Sequence, residues 1–249
     1  MPATKPVLLA SDAHLGAAPL TQERAFTAWL EHAGETASAI ILNGDVFDFW
    51  FEYHWGVPRR YDQVLDRLRD IVDAGVPVTL MGGNHDWWGG KYLRDEIGLE
   101  FLQEPVVREI AGRTTFLAHG DGLGKGDLGY SALKLVLRSP VTRFAFGMFP
   151  IAVGDRIAAH FSHTRDRWNA WGPQQEARSA ALEGWARAKL EAEPELELVL
   201  LGHTHLPIVR EVAPGRWYVN SGDWVNHRSY LTLEEGRPPR LAEWKVGAP

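Results

Sequence analysis

The chain has 249 residues, 45% of them hydrophobic and 23% charged, which is ordinary globular usage and allows one large domain. Lys and Arg number 26 against 32 Asp and Glu, a formal net charge of -6 that argues against a nucleic-acid coat. Cysteine is absent, so disulfides, thiolate nucleophiles, iron–sulfur clusters and thiolate zinc sites are excluded together; any metal must be held by nitrogen and oxygen, and 10 His can supply it.

In chain order, Val7 to Ala10 reads as a buried strand and Leu20 to His32 as a helix through Phe26, Trp29 and Leu30. A second strand at Ala39 to Leu42 precedes a helix over Tyr61 to Ala74, and a third strand covers Val76 to Met81. This alternation means parallel strands with crossover helices. From Val106 the pattern turns to hairpins, with strands at Val106 to Ile110 and Thr114 to Ala118 around Ala111-Gly112-Arg113. The last third adds strands at Leu196 to Leu201, Pro207 to Val212, Arg216 to Asn220, Tyr230 to Leu233 and Leu241 to Val246. Two packed sheets with helices outside follow from that pattern. Residues 1–249 are therefore expected to form one α/β domain, with a helical insertion over about 126–192 broken by Pro140, Pro150, Gly172 and Pro173. No apolar stretch approaches the ~20 residues of a membrane span and no export signal is visible, so the expectation is a cytoplasmic protein, with contact at the inner membrane surface left open.

Polar residues gather where the strands stop. Asp12-Ala13-His14 follows the first strand, Gly44-Asp45-Val46-Phe47-Asp48 the second, and Gly82-Gly83-Asn84-His85-Asp86 the third. His119-Gly120-Asp121 follows Phe116 to Ala118, and Gly202-His203-Thr204-His205 follows Leu198 to Leu201. Ligands of α/β sheets collect at the carboxyl ends of strands, so these five loops can converge. Residues i and i+2 on extended backbone point the same way, so Asp12 with His14, and His203 with His205, can each aim two side chains at one site. Glycine before Asp45, Asn84 and His203 permits close backbone approach. Taken singly, most of these triplets are ordinary turn residues. Turn chemistry accounts for the Gly, Asn and Asp, but it does not account for His14, His119, His203 and His205 at equivalent places.

The ordered set Asp-x-His, Gly-Asp-x-x-Asp, Gly-Asn-His-Asp, His-Gly-Asp and Gly-His-x-His resembles the calcineurin-like metallophosphoesterase superfamily. The resemblance implies a two-sheet αββα metallophosphoesterase sandwich with a helical lid insertion, carrying two divalent metal ions. It implies that Asp12, His14 and His205 hold one ion, that Asn84, His119 and His203 hold the other, and that Asp45 bridges both. Two such ions keep the site net positive against its carboxylates, supply a hydroxide at neutral pH and clamp phosphate oxygens for in-line attack. Mixed imidazole, carboxylate and amide donors suit Mn, Fe or Zn better than Mg, and the resemblance favours Mn. His85 falls where the superfamily contacts substrate and assists the leaving group, or else supports Asn84 from behind. Asp48, Asp86 and Asp121 are expected to orient the histidines that hold metal.

Within the superfamily the chain is most similar to the UDP-2,3-diacylglucosamine diphosphatases of lipid A synthesis. The aromatic run Phe47-Asp48-Phe49-Trp50 carries this, with Asp127 and Tyr130 at the start of the insertion and the insertion's own composition. Proteobacterial members have Arg where this chain has His85. The resemblance implies hydrolysis of the pyrophosphate to UMP and 2,3-diacylglucosamine 1-phosphate, with the insertion covering acyl chains and Asp127 and Tyr130 near the substrate. Residues 131–168 carry six Lys or Arg and two Asp beside Phe144, Phe146, Met148, Phe149, Ile151 and Val153. That composition suits a nucleotide-linked lipid or an anionic membrane surface, and equally a packed helix with a solvated face. The alternatives are a general phosphoesterase of nucleotides, phosphoproteins or diesters, and a non-catalytic scaffold of the same fold. No nucleic-acid partner is expected, and the sequence leaves the oligomeric state open.

Overall fold

The computed structural model describes residues 5–124, 138–162 and 172–245; Asp127 and Tyr130 lie outside them. Strands β1 (Val7–Ala10), β2 (Ala39–Asn43), β3 (Val78–Met81) and β4 (Glu100–Leu102) run parallel, and β10 (Ser229–Leu233) and β11 (Arg240–Glu243) extend the sheet antiparallel beside β1. The order is β11-β10-β1-β2-β3-β4. The second sheet has the order β5-β6-β7-β9-β8, with β5 (Val106–Ile110), β6 (Arg113–Leu117), β7 (Leu198–Leu201), β8 (Pro207–Ala213) and β9 (Arg216–Ser221). Within it β6, β7 and β9 are parallel, while β5 and β8 are antiparallel edges.

Period-two burial builds the layers. Leu9, Ile41, Met81, Leu198, Leu200 and Val219 point between the sheets. Their neighbours Leu8, Ala10, Ile40, Leu42, Val78 and Leu80 face the other way, onto α1 (Leu20–Thr36) and α2 (Asp62–Asp73) through Phe26, Trp29, Leu30, Leu65 and Leu68. Strands buried on both faces read as continuous apolar runs, which is why they were legible without alternation. On the far side, Val199 and Leu201 meet Leu182, Ala186 and Leu190 of the helix Pro173–Ala192. The result is an αββα sandwich. That last helix falls within the span expected as insertion, and it supplies the layer that covers the second sheet.

The remaining helices of the insertion, Pro140–Gly147 (α3) and Ile151–Ser162 (α4), are built differently. Ser139 caps α3, its hydroxyl accepting from Thr142 N at 3.1 Å, and Pro140 fits the first turn. Phe146 packs on Phe51 at 4.9 Å and on Phe49 and Tyr53 at 5.9 Å between ring centres, which docks α3 on the loop after β2. Val141, Phe144 and Met148 stay exposed, at 78%, 64% and 51%. Two small elements escaped the sequence reading: β4, three residues long, and a π-helical turn at Tyr92–Glu96 before it. Strand β3 begins at Val78 because Val76 N still bonds Ile71 O, closing α2. Among the described residues no helix is long and apolar enough to cross a membrane.

Candidate metal centre

The five loops leave the carboxyl ends of β1, β2, β3, β6 and β7, and all of these are parallel strands in one or other sheet. The sheets pack so that the loops interlock. Asp12 N donates to Gly44 O and His14 N to Asp45 O, each at 3.0 Å, and Gly202 N donates to His119 O at 2.7 Å. Two glycines are required by proximity. A Cβ on Gly44 would lie 2.3 Å from His119 Nδ1, and one on Gly83 would lie 2.2 Å from Asp45 Oδ1.

The expectation of extended backbone at the i,i+2 pairs is corrected. Asp12, His14, Asp45, His203 and His205 all have positive φ, between 44° and 69°. Left-handed residues that are not glycine cost of order 1–3 kcal/mol each and persist where the surroundings over-determine them. The strands end at Ala10 and Leu201, and left-handed turns aim the side chains from there. On this backbone Asp12 and His14 stay together, whereas His203 and His205 diverge. His205 joins Asp12 and His14, whereas His203 joins Asp45 and His119.

In the first group His205 Nε2 stands 3.4 Å from Asp12 Oδ1 and 3.5 Å from His14 Nε2. In the second, His119 Nε2 stands 3.3 Å from Asp45 Oδ2, while His119 Nδ1 is held at 2.8 Å by the carbonyl of Asn43. A neutral carbonyl only accepts, so Nδ1 carries the proton and Nε2 turns to the cluster. His85 stands beside the first group, its ring 4.9 Å from that of His14. Its Nδ1 is committed to Asp48 O at 2.6 Å, which leaves Nε2 as the nitrogen with chemistry available. Its backbone N–H meanwhile fixes Asp45 Oδ1 at 2.8 Å.

Charge in the cluster is strongly coupled. Burial pushes the Asp45 carboxyl up, but the imidazoles of His119 and His85 overcome this and hold it well below the carboxylate range. Burial pushes His119 down, and the carboxylate of Asp45 reverses that, holding it well above the usual histidine range. For His14 burial and the nearby His85 act together, and the ring is kept neutral. Asp12 is raised by burial.

The donor set fits a cation. Asp12 Oδ1, His14 Nδ1, Asn84 Oδ1 and His119 Nε2 are buried and have no hydrogen-bond partner. An unsatisfied buried polar atom costs about 1–3 kcal/mol, and three of these four belong to the Asp and His groups, which marks a site that expects a ligand. Oxygen and imidazole nitrogen are the donors of borderline divalent metals.

The supporting carboxylates are only partly where they were expected. Asp48 Oδ1 faces His14 Nδ1 at 3.9 Å and His85 Nδ1 at 3.8 Å. Asp86 does not orient a histidine. Its oxygens accept from Gly83 N at 2.7 Å, Val46 N at 2.8 Å and Asp45 N at 3.2 Å, pinning the loop after β2 to the loop after β3. Burial and the charge of Asp45 push its carboxyl up to about 6. Asp121 meets Arg138 at 3.2 Å, which ties the insertion to the loop after β6, and its charge also acts on His119 and His203, while Asn43 O holds His119 Nδ1. The residue the sequence reading missed is Asp223, fully buried after β9, which takes His205 Nδ1 at 3.1 Å. The signal was present: Gly222-Asp223 follows an apolar strand just as Gly44-Asp45 does.

Residues 5–207 match the family model described as calcineurin-like phosphoesterase, and the chain belongs to that family. It is an enzyme class of metal-dependent hydrolases, and the buried Asp and His clusters are its expected equipment. Among curated relatives, a UDP-2,3-diacylglucosamine hydrolase of Porphyromonas gingivalis is 29% identical over 92% of this chain and 94% of its own length. One of Xanthomonas oryzae pv. oryzae is 30% identical over 91% of this chain and 94% of its own. Among solved structures, hypothetical protein PH1004 from Pyrococcus horikoshii OT3 is 12% identical with a TM-score of 0.47, covering 97% of this chain and 89% of that one.

Proposed function

We propose that this chain hydrolyses the pyrophosphate of UDP-2,3-diacylglucosamine, giving UMP and 2,3-diacylglucosamine 1-phosphate, at a centre of two divalent ions with manganese favoured over iron or zinc. The observation that carries the reading is a set of His and Asp groups, Asp12–His14–His205, Asp45–His119–His203 and, sharing His14 with the first, His14–Asp48–His85, together with Val141, Phe144 and Met148 exposed on α3 and at its end. The names of the relatives support the same substrate.

Asp12, His14 and His205 would hold one ion, and Asn84, His119 and His203 the other, with Asp45 shared. Bound there, such a pair activates water at neutral pH and neutralises charge developing on phosphate oxygens. Asp45 is suited to the shared place because its Oδ1 is held by His85 N while Oδ2 faces His119. His85, with Nδ1 donating to Asp48 O, presents Nε2 to the substrate side, where it would hydrogen-bond the phosphate or hand a proton to the departing oxygen. Phe49 and Phe51 of the loop after β2, packed on Trp88 from the loop after β3 and on Phe146 of α3, join the site to the insertion. Val141, Phe144 and Met148, with Arg138 and Arg143 nearby in sequence, suit acyl chains and an anionic membrane surface at the cytoplasmic face of the inner membrane. Asp127 and Tyr130 remain proposed contacts of the substrate.

The test compares UDP-2,3-diacylglucosamine, its deacylated analogue and a simple aryl diester, each with Mn²⁺ and after chelation. Selective, chelator-sensitive hydrolysis of the acylated substrate is expected. Equal rates on acylated and deacylated substrates would remove the lipid from the reading.

A further inference from the structure

Asp223 lies beyond residue 207, where the family match stops. It follows β9, the one parallel strand of either sheet, apart from the edge strand β4, whose carboxyl end has so far been given no part in the centre. Its carboxylate is fully buried and accepts five hydrogen bonds. Oδ1 takes Asn226 N and His227 N at 2.9 Å and His227 Nδ1 at 3.2 Å; Oδ2 takes Asn226 Nδ2 and His205 Nδ1 at 3.1 Å. Two of those donors are backbone amides of its own turn, so the carboxylate is fixed before His205 is considered.

A carboxylate can only accept, so the proton of a neutral His205 must sit on Nδ1. The lone pair is then on Nε2, the atom that faces Asp12 Oδ1 and His14 Nε2. The same segment also supports Asp12. Trp224 N donates to the Asp12 carbonyl at 3.2 Å, and Ser221 Oγ meets Ser11 Oγ at 2.6 Å. The Trp224 ring is wedged between Phe26 at 5.1 Å and Trp29 at 5.4 Å, which anchors the turn to the core. His119 takes its support from elsewhere, its Nδ1 being held by Asn43 O on β2, while Asn220 at the end of β9 holds Gly202 O, beside His203, at 2.7 Å.

We infer that Asp223 is a positioning residue that fixes the ring and tautomer of His205, so that the turn after β9 sets the metal affinity of the Asp12–His14–His205 subsite separately from the other subsite. This rests on the two-metal reading above. Carboxylates that hold a ligating histidine typically change metal affinity 10–100-fold when removed. Asn in place of Asp keeps the shape but offers an amide N–H to Nδ1, favouring the tautomer with the proton on Nε2, turned toward the cluster.

The experiment titrates Mn²⁺ into the full, chelator-stripped chain by calorimetry and follows the spin-coupled signal of paired Mn²⁺ by electron paramagnetic resonance. For Asp223→Asn, one ion is expected to bind as in the parent and the second about 10–100-fold more weakly. The coupled signal should then appear only at high Mn²⁺, and Asp223→Glu should restore part of the affinity. Turnover of Asp223→Asn should recover as Mn²⁺ is raised, with substrate KM unchanged. Two parental affinities in Asp223→Asn would overturn the inference and leave the two-metal reading standing, as would equal weakening of both. A parent chain that binds fewer than two Mn²⁺ would overturn the reading itself. Should Asp223→Ala fail to fold, the near-isosteric Asn variant, with parental circular dichroism as its check, carries the test.

Discussion

The loops at the strand ends and the helices α3 and α4 lie side by side and are stabilised in opposite ways. The loops bury Asp12, His14, Asp45, Asp86 and His119 almost completely, the first three on left-handed backbone, and hold them with hydrogen bonds between loops. Helix α3 leaves Val141, Phe144 and Met148 to solvent and meets the core through a few rings, chiefly Phe146. Buried polar groups and backbone strain are tolerated only where something is gained from them, whereas exposed apolar side chains ask for a surface that arrives later. The first region is organised for a small, hard ligand in a fixed geometry. The second leaves apolar side chains exposed, as the proposed lipid substrate would need.

The largest break in that contrast is Asp45→Ala. It removes the carboxylate proposed to be shared by the two ions and takes away the group that faces His119 Nε2 at 3.3 Å. Loss of about a thousand-fold in kcat/KM is expected, equivalent to ~4 kcal/mol of barrier, together with loss of at least one bound ion by elemental analysis. Full two-ion occupancy in this variant would place the shared ligand elsewhere. His85→Gln should act on the other side of the same boundary. The amide can still bond Asp48 O but cannot carry a proton, so kcat is expected to fall about 100-fold with metal content unchanged. A parallel loss of metal would move His85 from the substrate side to the support of Asn84.

The same contrast explains what the sequence could disclose. The strand ends were legible because apolar runs buried on both faces announce themselves, and the histidines after them have no structural use in a turn. Their placement was legible, but the reason offered for it was not right. Alternation along extended backbone would have paired His203 with His205; the backbone is left-handed at both, and they lie in different groups, while Asp12 and His14 share one. Asp86 was found as a carboxylate in the right loop, yet its partners are backbone amides, which no side-chain pattern encodes. Asp223 was missed because a lone Gly-Asp after a strand looks like any turn until His205 is seen 3.1 Å away. Strand β4 was missed because its three residues, Glu100 to Leu102, owe their shape to pairing with β3. The helix Pro173–Ala192 carries Gln, Glu, Arg and Ala over most of its length, so its few buried residues, such as Leu182 and Leu190, gave little sign of the sheet beneath.

A smaller effect separates the regions by substrate. Phe144→Ser with Met148→Ser removes exposed apolar surface while leaving Phe146 docked. At roughly 25 cal/mol per Å² of apolar surface covered by lipid, loss of about ten-fold in kcat/KM on the diacylated substrate is reasonable. The deacylated analogue and the Mn²⁺ content should be unaffected. An equal loss on both substrates would make α3 a structural support of the centre.

The smallest effect concerns how α4 is held. Asp155 lies within reach of the Tyr53 hydroxyl at 3.4 Å and Arg60 at 4.0 Å, an arrangement that resembles an ion-pair latch. Burial nevertheless raises its carboxyl above the ordinary 3.8, against the pull of Arg60 and of the Tyr53 hydrogen bond. A raised folded-state value means that the folded chain holds the proton more tightly than the unfolded one. Stability is therefore greatest below 3.8 and declines as pH rises through the folded value, so ionised Asp155 works against docking at neutral pH. The carboxyl is partly exposed, and solvent screening limits the cost to less than about 1 kcal/mol. Asp155→Asn keeps an acceptor for Tyr53 and should raise Tm slightly at pH 7, the gain closing as pH falls toward 4, with chelator present throughout so that metal linkage does not intrude. A fall in Tm would mean that Arg60 outweighs burial and that α4 is pinned by charge. The expected rise leaves the close seat of Gly154 on the Tyr53 ring as the contact that holds it. In that case Asp155 resembles Asp86 of the metal loops: burial raises both carboxyls, so each ionises at a cost to the fold, and the two regions differ in what offsets it, backbone amides at Asp86 and the Tyr53 hydroxyl with Arg60 at Asp155.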